Sequence, residues 1–268
     1  MTLNLSVDEV LTTTRSVRKR LDFDKPVPRD VLMECLELAL QAPTGSNSQG
    51  WQWVFVEDAA KKKAIADVYL ANARGYLSGP APEYPDGDTR GERMGRVRDS
   101  ATYLAEHMHR APVLLIPCLK GREDESAVGG VSFWASLFPA VWSFCLALRS
   151  RGLGSCWTTL HLLDNGEHKV ADVLGIPYDE YSQGGLLPIA YTQGIDFRPA
   201  KRLPLPAVPV RHALGRQPLG RPEVDALCVG DRKQPALAVF VVGNAEHVGH
   251  LVLARPISPN TCTGRRCC

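Results

Sequence analysis

The stretch from Ser126 to Leu148 contains no charged side chain, and no other segment restricts the fold as strongly. It is long enough to cross a bilayer. It also carries Ser132, Ser136, Ser143, two glycines and Pro139, and it stands alone in the chain. A helix enclosed on all sides, in a core or a subunit interface, is therefore expected in place of a membrane span. With 44% hydrophobic and 22% charged residues over 268 positions, the composition excludes a wholly disordered chain, a collagen-like repeat and a multi-span membrane protein. The net charge of +2 supplies no strong field for nucleic acid. The opening MTLNLSVDEV lacks the basic and apolar regions of a secretory signal. Cys35, Cys118, Cys145 and Cys156 sit singly in apolar segments, and Cys228, Cys262, Cys267 and Cys268 lie near the end. None has metal-ligand spacing, so a reduced, cytoplasmic protein with buried thiols is expected.

Periodicity divides the chain into mixed helices and strands. Ser6 and Glu9 form a capping box before a helix with Val7, Val10 and Leu11 at helical spacing. A second helix is predicted from Arg29 to Ala42, closed by Pro43. Trp51 to Val56 reads as a strand, and Asp58 caps a short basic helix. The Pro- and Gly-rich stretch Leu77 to Thr89 reads as a loop or lid. Further on, Arg93–Arg110 is predicted helical, Val113–Leu119 a strand, Ser155–Leu162 a strand, Glu167–Leu174 a helix ended by Gly175, and Leu186–Thr192 a strand. The alternation is not a regular βαβ repeat, which favours an α+β fold. No Gly-x-Gly-x-x-Gly follows a strand, so a dinucleotide fold has no support.

Four clusters carry chemical potential. Arg15, Ser16, Arg18 and their basic neighbours can hold a phosphate, although a solvated helix end explains them equally well. The loop Thr44, Gly45, Ser46, Asn47, Ser48, Gln49 is small and uncharged; its amides suit a flat ligand with imide edges, or simply link helix to strand. Thr158 and Thr159 follow a Gly-Leu-Gly-Ser turn and serve either a ring nitrogen or an ordinary strand face. Lys201 and Arg202 form a basic pair in a Pro-rich stretch that also reads as a linker. No nucleophile elbow, metal motif or catalytic carboxylate pair is recognisable. Catalytic chemistry is thus expected from a cofactor, with no side chain as nucleophile.

In this order the four clusters resemble the FMN-dependent nitroreductase family. Arg15-Ser16-Val17-Arg18 and Ala42-Pro43-Thr44-Gly45-Ser46-Asn47-Ser48-Gln49-Gly50-Trp51 carry the resemblance. The uncharged helix, the Gly-Leu-Gly-Ser turn and Lys201-Arg202-Leu203-Pro204-Leu205 support it. The resemblance implies a nitroreductase-like α+β fold, a central mixed sheet flanked by helices, in an intertwined homodimer with FMN at each end of the interface. It implies that Arg15 and Ser16 meet the phosphate or ribityl chain, and that Arg18 lies near the pyrimidine edge. Thr44, Gly45, Asn47 and Gln49 would line the ring and ribityl chain, Thr158 and Thr159 would face the ring, and Arg202 with Lys201 would close on the phosphate. The implied activity is ping-pong transfer of hydride from NADH or NADPH, through FMN, to a nitroaromatic, quinone or similar small acceptor. The alternatives are a specialised flavin enzyme, such as a reductive dehalogenase or one transforming flavin or deazaflavin, and a flavin-binding protein without turnover. Two departures stand out: Thr14 replaces a basic residue common in similar chains, and Gly50 replaces a proline.

The resemblance covers about residues 6–205, so 1–205 is taken as the FMN-binding domain. Residues 206–268 contain one aromatic, Phe240, and seven arginines against one lysine. Such a tail is expected to be poorly ordered, with strand-like runs at Leu237–Val242 and Val248–Ala254. A chain ending near Pro209 is expected to keep flavin and turnover and to aggregate less.

Overall fold

The computed structural model describes residues 2–80, 82–85, 88–123, 127–202 and 238–242. Expectations for the rest of the tail, the Val248–Ala254 run and the last four cysteines included, lie outside the described residues.

Seven helices and seven strands are described, in the order α1 (Val7–Thr13), β1 (Leu21–Asp22), α2 (Arg29–Ala39), β2 (Trp51–Val56), α3 (Ala59–Ser78), α4 (Met94–His107), β3 (Val113–Lys120), α5 (Ala127–Ala135), α6 (Phe138–Ser150), β4 (Leu153–Ser155), α7 (Gly166–Leu174), β5 (Tyr181–Gln183), β6 (Leu187–Thr192) and β7 (Ala238–Val242). The sheet runs β1-β6-β3-β2-β7, with β4 also on β6 and β5 also on β3. Every pairing between these strands is antiparallel except the parallel β2–β7 pair. This is the mixed α+β sheet that the resemblance implied.

Strand β2 shows why the core has two layers. All six of its residues are buried, because alternate side chains leave opposite faces of the sheet and both faces are covered. Trp51, Trp53 and Phe55 enter one cluster with Leu36 of α2 and Phe144 of α6. Phe144 lies 5.8 Å from the Trp53 ring and 6.1 Å from that of Phe55. Val54 and Val56 enter the other, with Ile65 and Tyr69 of α3 and Leu104 of α4. Helix α2 reaches the first cluster through Leu32, Cys35, Leu36 and Ala39, the stripe that 3.6-residue periodicity dictates.

The uncharged run is two helices, not one. Pro139 has no N–H to continue a helix from α5, and it sits in the first turn of α6, where none is needed. The break is used: the Ser136 hydroxyl accepts the Gly45 N–H at 2.9 Å, and its carbonyl accepts the Trp51 indole N–H at 2.5 Å. Residues Gly129–Ser150 are long and apolar enough to cross a membrane, yet α6 buries Ala140, Val141, Phe144, Cys145, Ala147, Leu148 and Arg149 in the fold. Val131, Phe138 and Trp142 remain exposed.

Three shorter corrections follow from local geometry. Asp58 caps α3 as expected, accepting from Lys61 N–H at 2.8 Å, but that helix runs to Ser78 because its apolar residues keep one buried face. Helix α2 stops at Ala39 rather than Ala42. The predicted Ser155–Leu162 strand ends at Ser155; Thr158 makes a single bridge to Leu186, and a 3-10 turn occupies Leu160–Leu162. The Trp157 indole, donating to the Gly184 carbonyl at 3.0 Å, turns the chain off the sheet there. Cys35, Cys118, Cys145 and Cys156 are free and buried, and burial pushes the Cys35 and Cys145 thiols up to about 11 and about 12.

Strand β7 changes one expectation. It continues the sheet beside β2 in register from Gln52↔Ala238 to Val56↔Val242, so these residues belong to the sheet while their flanks lie outside the described residues. Without them β2 becomes an apolar edge strand, an invitation to intermolecular pairing. Ending the chain after residue 202 is therefore expected to lower the melting midpoint by on the order of 5–10 °C and to increase aggregation. A melting scan with light scattering checks this; an unchanged midpoint would show that β7 contributes nothing to the sheet.

Candidate active site

Helix α1 begins on the capping box seen in the sequence: Ser6 Oγ accepts the Glu9 N–H, and the Glu9 carboxylate accepts the Ser6 N–H at 2.7 Å. It ends at Thr14, whose backbone is extended. The chain then runs straight enough for Ser16 to bridge Ser155 in parallel, with Val17 N–H donating to the Ser155 carbonyl at 2.8 Å. This close approach requires Gly154. A Cβ there would lie 2.7 Å from Thr192 Cγ2 and 3.1 Å from Val17.

The bridge lays the basic cluster along an open cavity of about 220 Å³, lined by Arg15, Ser16, Arg18, Lys19 and Arg20, with Ser100 and Phe197 opposite. Lys19 pairs with Asp99 at 2.5 Å and Arg20 with Asp196 at 2.6 Å. Arg15 gives one N–H to the Arg198 carbonyl at 3.0 Å. Neither Arg15 nor Arg18 has a carboxylate partner among the described residues, so the cavity keeps an excess of positive charge suited to a phosphate.

Behind the cluster stands a buried polar group that sequence reading missed. The Tyr69 hydroxyl lies 3.1 Å from Thr158 Oγ1. Burial pushes the phenol up, opposed by Thr158 and by the charge of Arg18. The Cys156 thiol is likewise pushed up by burial, opposed by Arg18 and by hydrogen bonds from Ser16 and Arg18. Arg18, Ser16, Cys156, Thr158 and Tyr69 are thus neighbours. Tyr69 had no sequence signal, being one apolar position on a helix expected to be short. Thr159 is exposed, and its carbonyl accepts the Leu162 N–H at 3.0 Å to close the 3-10 turn. Lys201 and Arg202 are exposed; the Lys201 carbonyl accepts from Arg93 at 3.2 Å, which anchors the strap formed by residues 193–202 near the start of α4, outside the cavity lining.

The second predicted group forms elsewhere. Ser46, Asn47 and Gln49 all have left-handed backbone, with φ of 52°, 51° and 46°, a costly conformation for non-glycine residues that concentrates at ligand sites. Thr44 Oγ1 accepts the Gln49 N–H at 3.2 Å, and Asn47 Oδ1 accepts the Gln49 side-chain N–H at 2.8 Å. The loop is ordered by its own polar groups and by Ser136, and it faces solvent. It precedes β2, where Trp51 is opposite Leu119. The basic cluster is next to Ser155, which faces Ile189, itself opposite Val113. Six residue steps along β3 therefore separate the two groups, roughly 20 Å at the rise of an extended strand. Within one chain Arg15, Ser16, Arg18 and Thr158 come together; Thr44, Gly45, Asn47 and Gln49 do not join them.

Comparison with known proteins finds relatives and solved structures of similar fold. The chain is 30% identical over 152 residues to an iodotyrosine deiodinase from Thermotoga neapolitana, covering 54% of this chain and 69% of the relative. It is 43% identical over 60 residues to an NADH dehydrogenase from Thermus thermophilus, covering 22% of this chain and spanning only 28% of the relative's length. A single-residue variant of an FMN and NADPH-dependent nitroreductase from sphigopyxis sp. strain HMH superposes with a TM-score of 0.57 at 26% identity, covering 78% of this chain and 100% of that one. The family model described as Nitroreductase family matches residues 11–191, from the end of α1 through the last strand before the strap. With the basic cluster, the left-handed loop and the mixed sheet in place, the chain belongs to the nitroreductase family.

Proposed function

We propose that two copies of this chain bind FMN between them and act as an oxidoreductase, taking hydride from NADH or NADPH and passing it to a small acceptor such as a nitroaromatic or a quinone. The observation that carries this reading is the split site. A cavity rich in cations and a preformed amide loop lie at opposite ends of one sheet, and a single chain does not bring them together. A two-fold axis would bring the loop of one copy to the cavity of the other. The exposed Val131, Phe138 and Trp142 of α5 and α6 offer apolar surface for that contact.

The residues present fit the group. Arg15 and Ser16 would hold its phosphate by charge-assisted hydrogen bonds, with Lys201 and Arg202 approaching from the strap. Arg18, unpaired with any carboxylate among the described residues, would place a cation where negative charge develops at the pyrimidine edge. Thr158, oriented by Tyr69, would present a hydroxyl to the ring, with Thr159 at the rim. Thr44, Gly45, Asn47 and Gln49 of the second copy would enclose the opposite side. When bound, the flavin supplies the hydride chemistry; the chain binds, orients and tunes.

A second reading, reductive dehalogenation at the same site, is favoured by the similarity to the deiodinase. The two are separated by measuring NADH and NADPH oxidation with nitroaromatic and quinone acceptors, and halide release from a halogenated phenol. We expect FMN, not FAD, on denaturation of the purified protein. With the acceptor varied at several NAD(P)H levels, parallel double-reciprocal lines are expected, because one face serves donor and acceptor in turn. A protein that takes up no FMN defeats the reading, and intersecting lines defeat the shared face.

A further inference from the structure

Arg149, near the end of α6, is a buried cation without an anion. It is 6% exposed. Its Nε donates to Thr13 Oγ1 at 3.0 Å and its Nη2 to the Ile195 carbonyl at 3.0 Å, while Nη1 is buried with no partner among the described residues. No carboxylate stands within ion-pair distance of it among those residues; nearby Glu9 is held in the capping box by Ser6. Ser155 is 7% exposed, and its Oγ is also buried without a partner. Buried polar groups are almost always satisfied, and an uncompensated buried charge is strongly unfavourable. Here both unsatisfied side chains line one cavity, together with Thr13, Thr14, Arg15 and Ser16. Its volume is about 50 Å³, several times what a single water needs. The charged lining is two guanidinium groups with no carboxylate. Of the four hydroxyls, Thr13 and Thr14 already donate to the Glu9 and Val10 carbonyls, which leaves Ser16 and Ser155, and the Phe197 ring covers the Arg149 guanidinium at 5.0 Å.

We propose that this cavity is an oxyanion site of the phosphate class, with Arg149 as its buried cation and Ser155 as a hydroxyl donor. Such an anion supplies both missing partners at once: it neutralises the guanidinium and accepts from Nη1 and from Ser155. The anion has two sources, a free inorganic oxyanion or the phosphate of a bound flavin; the second source rests on the function proposed above.

The test is thermal denaturation of the full chain, freed of any flavin carried through purification, against inorganic phosphate at constant ionic strength. Wild type is expected to gain several degrees as phosphate fills the site, since a ligand of the native state alone stabilises it. Arg149→Met should lose that gain, and Ser155→Ala, which leaves the charge and its two existing bonds in place, should raise the half-effective phosphate concentration about fivefold. Repeating the titration with saturating FMN separates the sources: the phosphate response disappears if the flavin's phosphate fills the site, and persists if a free anion does. A wild type indifferent to phosphate overturns the proposal, as does an equal response in Ser155→Ala and, where it folds, Arg149→Met. A protein that responds to phosphate but binds no flavin sinks the proposed function and leaves this site standing.

Discussion

Mixing Arg18→Ala chains with Asn47→Ala chains, under conditions that let subunits exchange, is expected to restore turnover that neither variant has alone. Each substitution removes one half of the proposed site. Arg18 is a cation without a carboxylate partner among the described residues, and losing such preorganised charge costs on the order of 100-fold in rate. Asn47 anchors the loop through its bond to Gln49. In the proposed two-fold dimer each site would take its cavity from one chain and its loop from the other. A mixed dimer then contains one site with both substitutions and one with neither. Half the dimers are mixed at equal input, so about a quarter of wild-type turnover returns if assembly is random. Flavin content should recover in the same proportion. If the mixture performs no better than the average of its parents, the cavity and the loop do not serve one site, and the roughly 20 Å between them along β3 has another meaning.

Acid is expected to destabilise the fold through His161 well before ordinary carboxylates protonate. This histidine is fully buried in the 3-10 turn between β4 and α7. The turn is held by Asn72 of α3, which donates to the carbonyls of Leu160 and Leu163 at 2.9 and 2.7 Å. Burial pushes the imidazole down from 6.5 to about 3, with Gln183 opposing. The unfolded chain thus takes up a proton near pH 6.5, whereas the folded chain refuses it until about pH 3. Between those values the unfolded state binds more protons, so stability is full above pH 6.5 and falls as the pH drops through this window. The loss amounts to about 2–3 kcal/mol between pH 7 and pH 4.5. Urea denaturation of wild type and His161→Gln at both pH values checks it. The variant is expected to lose less stability than wild type between pH 7 and 4.5; an equal loss would mean that the imidazole is already charged in the fold.

Legibility in the sequence followed the range of the forces involved. The capping box of α1, the Asp58 cap and the αL Gly175 that ends α7 depend on residues within a few positions of one another, and all three were readable. The candidate clusters are readable by residue type and order, because Arg15-Ser16-Val17-Arg18 and the Thr44–Gln49 loop are contiguous. Tyr69, Arg149 and Ser155 are not. Each is unremarkable in its own segment and acquires a role only from partners far along the chain, as Tyr69 does from Thr158 and Arg149 from Thr13. Composition makes the uncharged run one helix, since it reports the absence of charge but not the break that Pro139 and Ser136 make.

By itself, then, the sequence determined the kinds of elements, the α+β class and the chemistry of the two polar clusters, because local propensity, capping and side-chain type act over short separations. Tertiary structure alone decided that β2 is flanked by β3 and β7, that Thr158 answers to Tyr69, and that the basic cavity and the amide loop stand at opposite ends of one sheet. Strand order and register arise from long-range burial of both faces of β2, and no window of sequence contains that information.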